Sequence, residues 1–71
     1  MTIETVLYGK RALVRNEKEL KMHLRKQELV AAMASMRGQT ISRVISDKIM
    51  GEIISINRKI QRTGAYVQFL D

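Results

Sequence analysis

The sequence predicts a mainly α-helical domain with one short β-strand, and three observations support this fold class. The chain has 71 residues, which is enough for one small domain and too few for a two-domain enzyme. Apolar residues recur at three- and four-residue spacing in two segments separated by Gly38, a pattern typical of two amphipathic helices. Between Leu20 and Arg25 apolar and polar residues alternate strictly, which predicts a strand.

The composition indicates how so small a domain is stabilised. A single core of this size rarely supplies more than about 3–5 kcal/mol of stability. The sequence has no cysteine, which excludes disulfides and thiolate zinc sites, and its one histidine is too few for a metal cage. We therefore expect no metal and no cofactor. Oligomerisation is the remaining means of stabilisation.

The charge of the chain suggests its partners. Thirteen Lys and Arg residues against seven Asp and Glu residues give a net charge of +6 at pH 7. Such an excess favours polyanions such as nucleic acid or anionic lipid. The apolar runs are far shorter than the roughly 18 residues that span a bilayer, and no signal segment opens the chain. We expect a cytoplasmic protein with no membrane partner.

The strand assigned to Leu20–Arg25 competes with a helix. As a strand, this stretch would place three apolar side chains on one face, whereas a helix would scatter them over roughly 400° of arc. Yet Asn16 followed by Glu19 fits a helix capping box, and the stretch is rich in good helix formers. The alternative is therefore one long helix over residues 17–37. We prefer the strand.

The flanking segments are interpreted more simply. Residues 1–17 fit an N-terminal arm or a short hairpin. A first helix is expected to stop at Gly38, and a second helix to begin with Thr40 as its cap and end at Gly64. The second helix carries so much isoleucine that a partner helix, from this chain or another, must cover it. Residues 63–71 form a C-terminal extension, expected as a short strand or docked segment anchored by Tyr66 and Phe69.

The order strand, helix, glycine, capping hydroxyl, second helix resembles the ribbon-helix-helix family of DNA-binding proteins, which includes the Arc and methionine repressors. The resemblance covers about residues 18–56 of a domain placed at 18–62, and its most specific part is GQTISRVISDKI. The matching positions are Gly38, Thr40, Ser42, Val44, Ile45, Ile49 and Ile53. The resemblance implies an intertwined homodimer whose intermolecular antiparallel β-ribbon enters the major groove, so double-stranded DNA is the partner we expect.

The resemblance also implies roles for individual residues. The outward side chains of the strand would contact DNA bases: Lys21, His23 and Arg25. The turn and the start of the second helix would contact phosphates through Arg37, Gln39, Thr40, Ser42 and Arg43. The dimer core would be Leu20, Met22, Leu24, Val30, Met33, Val44, Ile45, Ile49 and Ile53.

Two functional hypotheses follow. The first is a sequence-specific, homodimeric transcriptional repressor or a plasmid or phage DNA accessory factor. The second is a small helical protein-protein interaction module, of the anti-activator or antitoxin kind, that does not bind DNA. The arm or the tail could bind a further protein in either case. No constellation of catalytic residues is present, so we expect no enzyme. A continuous helix over residues 17–37 would favour the second hypothesis, because no ribbon would then exist.

Overall fold

The computed structural model describes residues 2–70, which form a small antiparallel sheet and a hairpin of two helices. The elements are β1 (Ile3–Leu7), β2 (Lys10–Val14), α1 (Glu17–Ser35), α2 (Arg43–Thr63) and β3 (Gln68–Phe69). The sheet has the order β1-β2-β3. The chain is mainly helical, as predicted, and a strand pair followed by two helices matches the ribbon-helix-helix element order at this coarse level.

The first segment is a β-hairpin. Its register pairs Ile3 with Val14 and Leu7 with Lys10, so the connection has only two residues. Both of these residues, Tyr8 and Gly9, have positive φ angles of 55° and 77°, as a tight turn that follows the strand twist requires. Alternate side chains of the hairpin are buried against α1, and the buried set is Leu7, Ala12 and Val14.

Helix α1 is continuous over Glu17–Ser35, so the strand predicted for Leu20–Arg25 is wrong. The cap that supported the competing interpretation is present, because the Asn16 side chain accepts a hydrogen bond from the Glu19 amide at 3.0 Å. The alternation of apolar and polar residues in this stretch does not come from a strand. Leu20 packs against the core of the sheet, Met22 packs against α2 and the tail, and Leu24 is 40% exposed. The three apolar side chains therefore do not share a face.

Helix α2 begins later than predicted and ends where predicted. The helix starts at Arg43, so the N-cap is Ser42 and not Thr40, and the Ser42 side chain makes no capping hydrogen bond. At the other end Gly64 has a φ of +67° and closes the helix in the left-handed conformation. The tail then folds back, and its backbone pairs with β2 through the register Leu13–Gln68.

Small side chains hold the tail more firmly than the predicted aromatic anchors do. Ala65 is completely buried between the helices, and Val67 packs against the core of the sheet. Tyr66 is 67% exposed, which corrects its assignment as an anchor. Phe69 is also exposed, although its ring contacts the ring of Tyr8 edge-on at 6.4 Å.

The core of the chain is small. Six of the seven buried apolar side chains among residues 2–70 form two clusters, one under the sheet and one between the helices and the tail. The seven are Leu7, Ala12, Val14, Met22, Leu29, Ile60 and Ala65, of which Leu29 belongs to neither cluster. Neither helix has the length and apolar character that crossing a bilayer requires. Much of the apolar surface of the helical hairpin therefore remains uncovered within one chain.

Candidate functional site

The three residues predicted to contact DNA bases do not lie on one surface. Lys21 and Arg25 are exposed on α1, whereas His23 is only 5% exposed. The physical reason is the helical conformation, because residues two apart are separated by about 200° on a helix and share a face only on a strand. His23 is therefore corrected from an outward base contact to a buried residue.

His23 instead connects three parts of the fold. Its Nε2 atom lies 2.6 Å from the carbonyl oxygen of Ala65, and its Nδ1 atom lies 3.1 Å from the Tyr8 hydroxyl. A carbonyl can only accept, so Nε2 carries the proton and Nδ1 accepts from the hydroxyl when the ring is neutral. Burial raises the pKa of Tyr8, which keeps this hydroxyl protonated as a donor. The role of His23 is structural.

The two exposed cations of the predicted set lie on a groove between α1 and α2. We call it the basic groove, and its volume is about 330 Å³. Two apolar side chains, the buried Met22 and the half-buried Ile56, form its floor. Its cationic lining consists of Lys18, Lys21, Arg25 and Lys59. Lys18, Lys21 and Arg25 project together because they are three and four residues apart on α1.

The cations of the basic groove differ in how they are compensated. Arg25 donates to Glu28 at 3.2 Å and to Glu52 at 3.0 Å, so two carboxylates face its single positive charge. Within residues 2–70, the ammonium groups of Lys18, Lys21 and Lys59 form no ion pair. The groove therefore carries three uncompensated positive charges, and Arg25 is held by acidic neighbours at one end.

A second ion pair lies beside the groove. The Arg15 guanidinium approaches the Glu19 carboxylate at 2.6 Å and also donates to the Gly64 carbonyl at 2.8 Å. The hydrogen bond from Arg15 holds the pKa of the buried Glu19 carboxyl below its ordinary value, and the same contact raises the pKa of Arg15. This pair joins the hairpin, the start of α1 and the end of α2.

The residues predicted to contact phosphate lie at the other end of the molecule. Arg37, Gln39 and Thr40 belong to the exposed connection between the helices, and Ser42 and Arg43 begin α2. Sixteen residues separate Lys21 from Arg37, and this separation is about 24 Å at the helical rise. The structure therefore does not bring the predicted phosphate contacts together with the predicted base contacts.

The residues predicted as dimer core divide into two groups. Met22 is buried and four others are partly buried within the single chain, namely Leu20, Met33, Ile49 and Ile53. The remaining four are exposed, namely Leu24, Val30, Val44 and Ile45. Apart from Leu24, the exposed members lie in residues 27–54, which form the distal half of the helical hairpin. One chain alone leaves this part of the predicted core in contact with solvent.

The distal half combines exposed apolar side chains with zero net charge. Among residues 2–70, five of the ten exposed large hydrophobic residues belong to it: Val30, Val44, Ile45, Met50 and Ile54. Three basic residues are balanced by three acidic ones: Arg37, Arg43, Lys48, Glu28, Asp47 and Glu52. The remainder of the chain holds ten Lys and Arg residues against four Asp and Glu residues and so carries the entire net charge of +6.

Sequence reasoning missed the contribution of Lys18 and Lys59 to the groove. The spacing of Lys18, Lys21 and Arg25 is the signal that could have found the first of them, had a helix been assumed. Lys59 stands out in the sequence as part of a basic cluster with Arg58 and Arg62, but no local signal places it in the groove, which it reaches only through the packing of α2 on α1.

Comparisons with protein-family models, with curated proteins and with solved structures found no match to this chain. Among residues 2–70, no group of three or more His, Cys, Asp or Glu side chains is arranged to hold a metal ion. The functional argument therefore rests on the two surfaces described above, the basic groove and the distal half.

Proposed function

We propose that this protein is a small helical interaction module that associates with a second copy of itself through the distal half of its helical hairpin. The observation that carries the proposal is the exposure of aliphatic side chains on a segment that has no net charge. The continuous α1 helix favours this hypothesis over a base-reading repressor, because residues 20–25 are not available for an intermolecular ribbon.

The apolar pattern of α2 supports a second packing surface. Two adjacent apolar pairs, Ile49-Met50 and Ile53-Ile54, lie one turn apart. The first member of each pair is partly buried within the chain, whereas Met50 and Ile54 are 48% and 47% exposed. Met50 and Ile54 form a stripe of their own because they are four residues apart. A helix that is apolar over so wide an arc requires a partner on more than one side.

A second copy of the chain is the occupant that the charges favour. Two molecules of net charge +6 repel each other wherever their basic regions meet, but the neutral distal halves can approach without this cost. Two antiparallel helical hairpins packed together give a four-helix bundle, a stable arrangement for helices of this length. Such a bundle would supply the additional apolar burial that a 71-residue chain needs. The cytoplasmic location stays a prediction.

Analytical ultracentrifugation over a range of concentrations tests the proposal. The wild-type protein is expected to sediment as a dimer. Ile54→Glu is expected to weaken the dimer by about 100-fold or more, because a carboxylate buried without a partner costs several kcal/mol. Ser55→Glu, an exposed neighbour on the same helix, is the matched control and should remain dimeric.

The outcomes that contradict self-association are distinct. A wild-type protein that stays monomeric and cooperatively folded at high concentration would show that the distal half needs no second copy. Equal weakening by Ile54→Glu and Ser55→Glu would show that the added charge, and not its position, disrupts the dimer. Met50→Gln provides a milder variant if Ile54→Glu unfolds, with helix content followed by circular dichroism.

A further inference from the structure

We propose that the basic groove binds the phosphate backbone of a nucleic-acid duplex without reading its sequence. This inference goes beyond self-association, because the groove lies outside the apolar stripe. On α2, Lys59 is about 140° around the helix from Ile54, so the two surfaces can be occupied together. The groove and the stripe therefore serve different partners.

The charges of the groove match a repeating anion. Lys18 and Lys21 are one turn apart on α1, and Lys59 faces them from α2, so three lysine side chains line one groove. None of the three has a carboxylate partner among residues 2–70, and so the arrangement does not neutralise itself. An isolated phosphate would leave most of this charge uncompensated, whereas successive phosphates of a strand would satisfy it.

The side chains of the groove favour a duplex over a single strand. Binding to single strands generally depends on aromatic rings on which unpaired bases stack. The groove has no aromatic lining, because its floor is Met22 and Ile56. The rings of Tyr8 and His23 contact each other edge-on and line a different cavity.

The same lining argues against base reading. Arg25 is the one guanidinium of the groove, and its two carboxylate contacts occupy the planar donors that would otherwise grip a guanine. Lysine ammonium groups act as point charges and position a backbone without specifying sequence. In this proposal Lys21 and Arg25 are not base contacts but part of the lining of the basic groove.

A membrane surface fits the groove less well. Peripheral helices insert protruding apolar side chains below the lipid headgroups. The two apolar residues of the groove are covered, because Met22 is only 8% exposed and Ile56 is partly buried. Neither of them is an exposed apolar side chain of the kind that a membrane-inserting helix presents.

Fluorescence anisotropy with labelled DNA duplexes of about 20 base pairs, in two unrelated sequences, tests the inference. The groove variant combines Lys18→Gln, Lys21→Gln and Lys59→Gln. The matched control removes the same charge from exposed positions outside both the groove and the distal half, through Lys10→Gln, Arg58→Gln and Arg62→Gln. We expect the groove variant to bind at least about tenfold more weakly and the control to lose less than about threefold. In a plot of the logarithm of affinity against the logarithm of salt concentration, the slope should become shallower by about 2.7 in the groove variant. Each of the three lost phosphate contacts contributes about 0.9 to this slope.

Three outcomes would overturn the inference. The first is an equal loss in the control variant, which would mean that net charge and not the groove governs binding. The second is a difference above about tenfold between the two duplex sequences, which would indicate base reading. The third is groove-dependent binding to phosphatidylserine vesicles with none to duplex. A folded, monomeric Ile54→Glu protein should retain the groove, and so failure of the dimer proposal and failure of this one are separable.

Discussion

The imidazole of His23 and the backbone carbonyl of Ala65 are joined by a buried hydrogen bond of 2.6 Å that fastens the C-terminal tail to α1. The Tyr8 hydroxyl bonds to the other ring nitrogen at 3.1 Å. The hairpin turn, the first helix and the tail therefore meet at one side chain. In a chain with so few buried apolar residues, this polar contact makes a large contribution to holding the sheet on the helices.

Replacing His23 by phenylalanine should destabilise the fold even though it adds apolar surface. His23→Phe leaves the buried Ala65 carbonyl without its donor, and an unsatisfied buried acceptor costs about 1–3 kcal/mol. Urea denaturation at neutral pH would measure this loss. Tyr8→Phe is the matched variant and should cost less than about 1 kcal/mol, because Tyr8 is at the surface and Nδ1 can accept from water instead. Equal costs in the two variants would contradict this account.

The tautomer of His23 provides an independent check. Long-range nitrogen-proton NMR spectra at neutral pH should show the ring proton on Nε2, because the Ala65 carbonyl requires a donor there. A ring proton on Nδ1 with none on Nε2 would mean that the contact with the tail is absent in solution.

The Arg15–Glu19 pair predicts a loss of stability in acid. The pKa of Glu19 is held below its ordinary value of 4.5, so the unfolded chain binds a proton more readily than the folded chain does. The stabilisation is therefore complete above the unfolded pKa and is lost as the pH falls through the lower, folded value. The urea concentration at the unfolding midpoint, measured between about pH 2 and pH 7, should decrease as the pH falls below the ordinary carboxyl pKa.

A single substitution isolates the contribution of Glu19. Glu19→Gln cannot titrate, so its urea midpoint should depend less on pH below the ordinary carboxyl value than that of the wild type. Glu17→Gln, an exposed carboxylate in the same turn of α1, should leave the pH profile unchanged. The assignment fails if Glu17→Gln flattens the profile as much as Glu19→Gln does.

For α1, the capping residues and the helix-forming composition determine the structure, and the period-2 apolar pattern does not. The cap formed by Asn16 and Glu19 and the helix-forming residues that follow act locally, and they produce the helix. The period-2 pattern arose because Leu20 and Met22 bury against two different partners, the sheet and α2. Those partners are distant in sequence, so the pattern alone could not reveal them.

The sequence predicts the end of α2 but does not predict the basic groove. A glycine after an amphipathic segment marks a helix end by a local rule, and Gly64 obeys it. The basic groove depends instead on the packing of α2 against α1, which brings Lys59 to Lys18 across the hairpin. Local patterns carry no information about such a juxtaposition, and therefore the groove appears only in three dimensions.

Two glycine substitutions should change stability in opposite directions. Gly64→Ala should cost about 1 kcal/mol or more, because a φ of +67° is strained for any residue with a Cβ atom. Gly51 lies inside α2 with no neighbouring atom within 4 Å of the position of a Cβ, and therefore Gly51→Ala should stabilise by about 0.5–1 kcal/mol. Thermal unfolding followed by circular dichroism compares them. A destabilising Gly51→Ala would show that another chain packs closely at that position.

Ile45 tests whether the distal half is covered in solution. Within one chain Ile45 is 53% exposed, so Ile45→Ala should cost less than about 1 kcal/mol if the protein is a monomer. In a dimer that buries it, the same change should cost about 2–5 kcal/mol and should make the unfolding midpoint depend more steeply on protein concentration. We expect the larger cost.

Val6→Ala is the matched control, because Val6 is an aliphatic residue of similar exposure in β1. This change should cost less than about 1 kcal/mol at every concentration. Equal, small costs at both positions, independent of concentration, would leave Ile45 facing solvent and contradict the dimer.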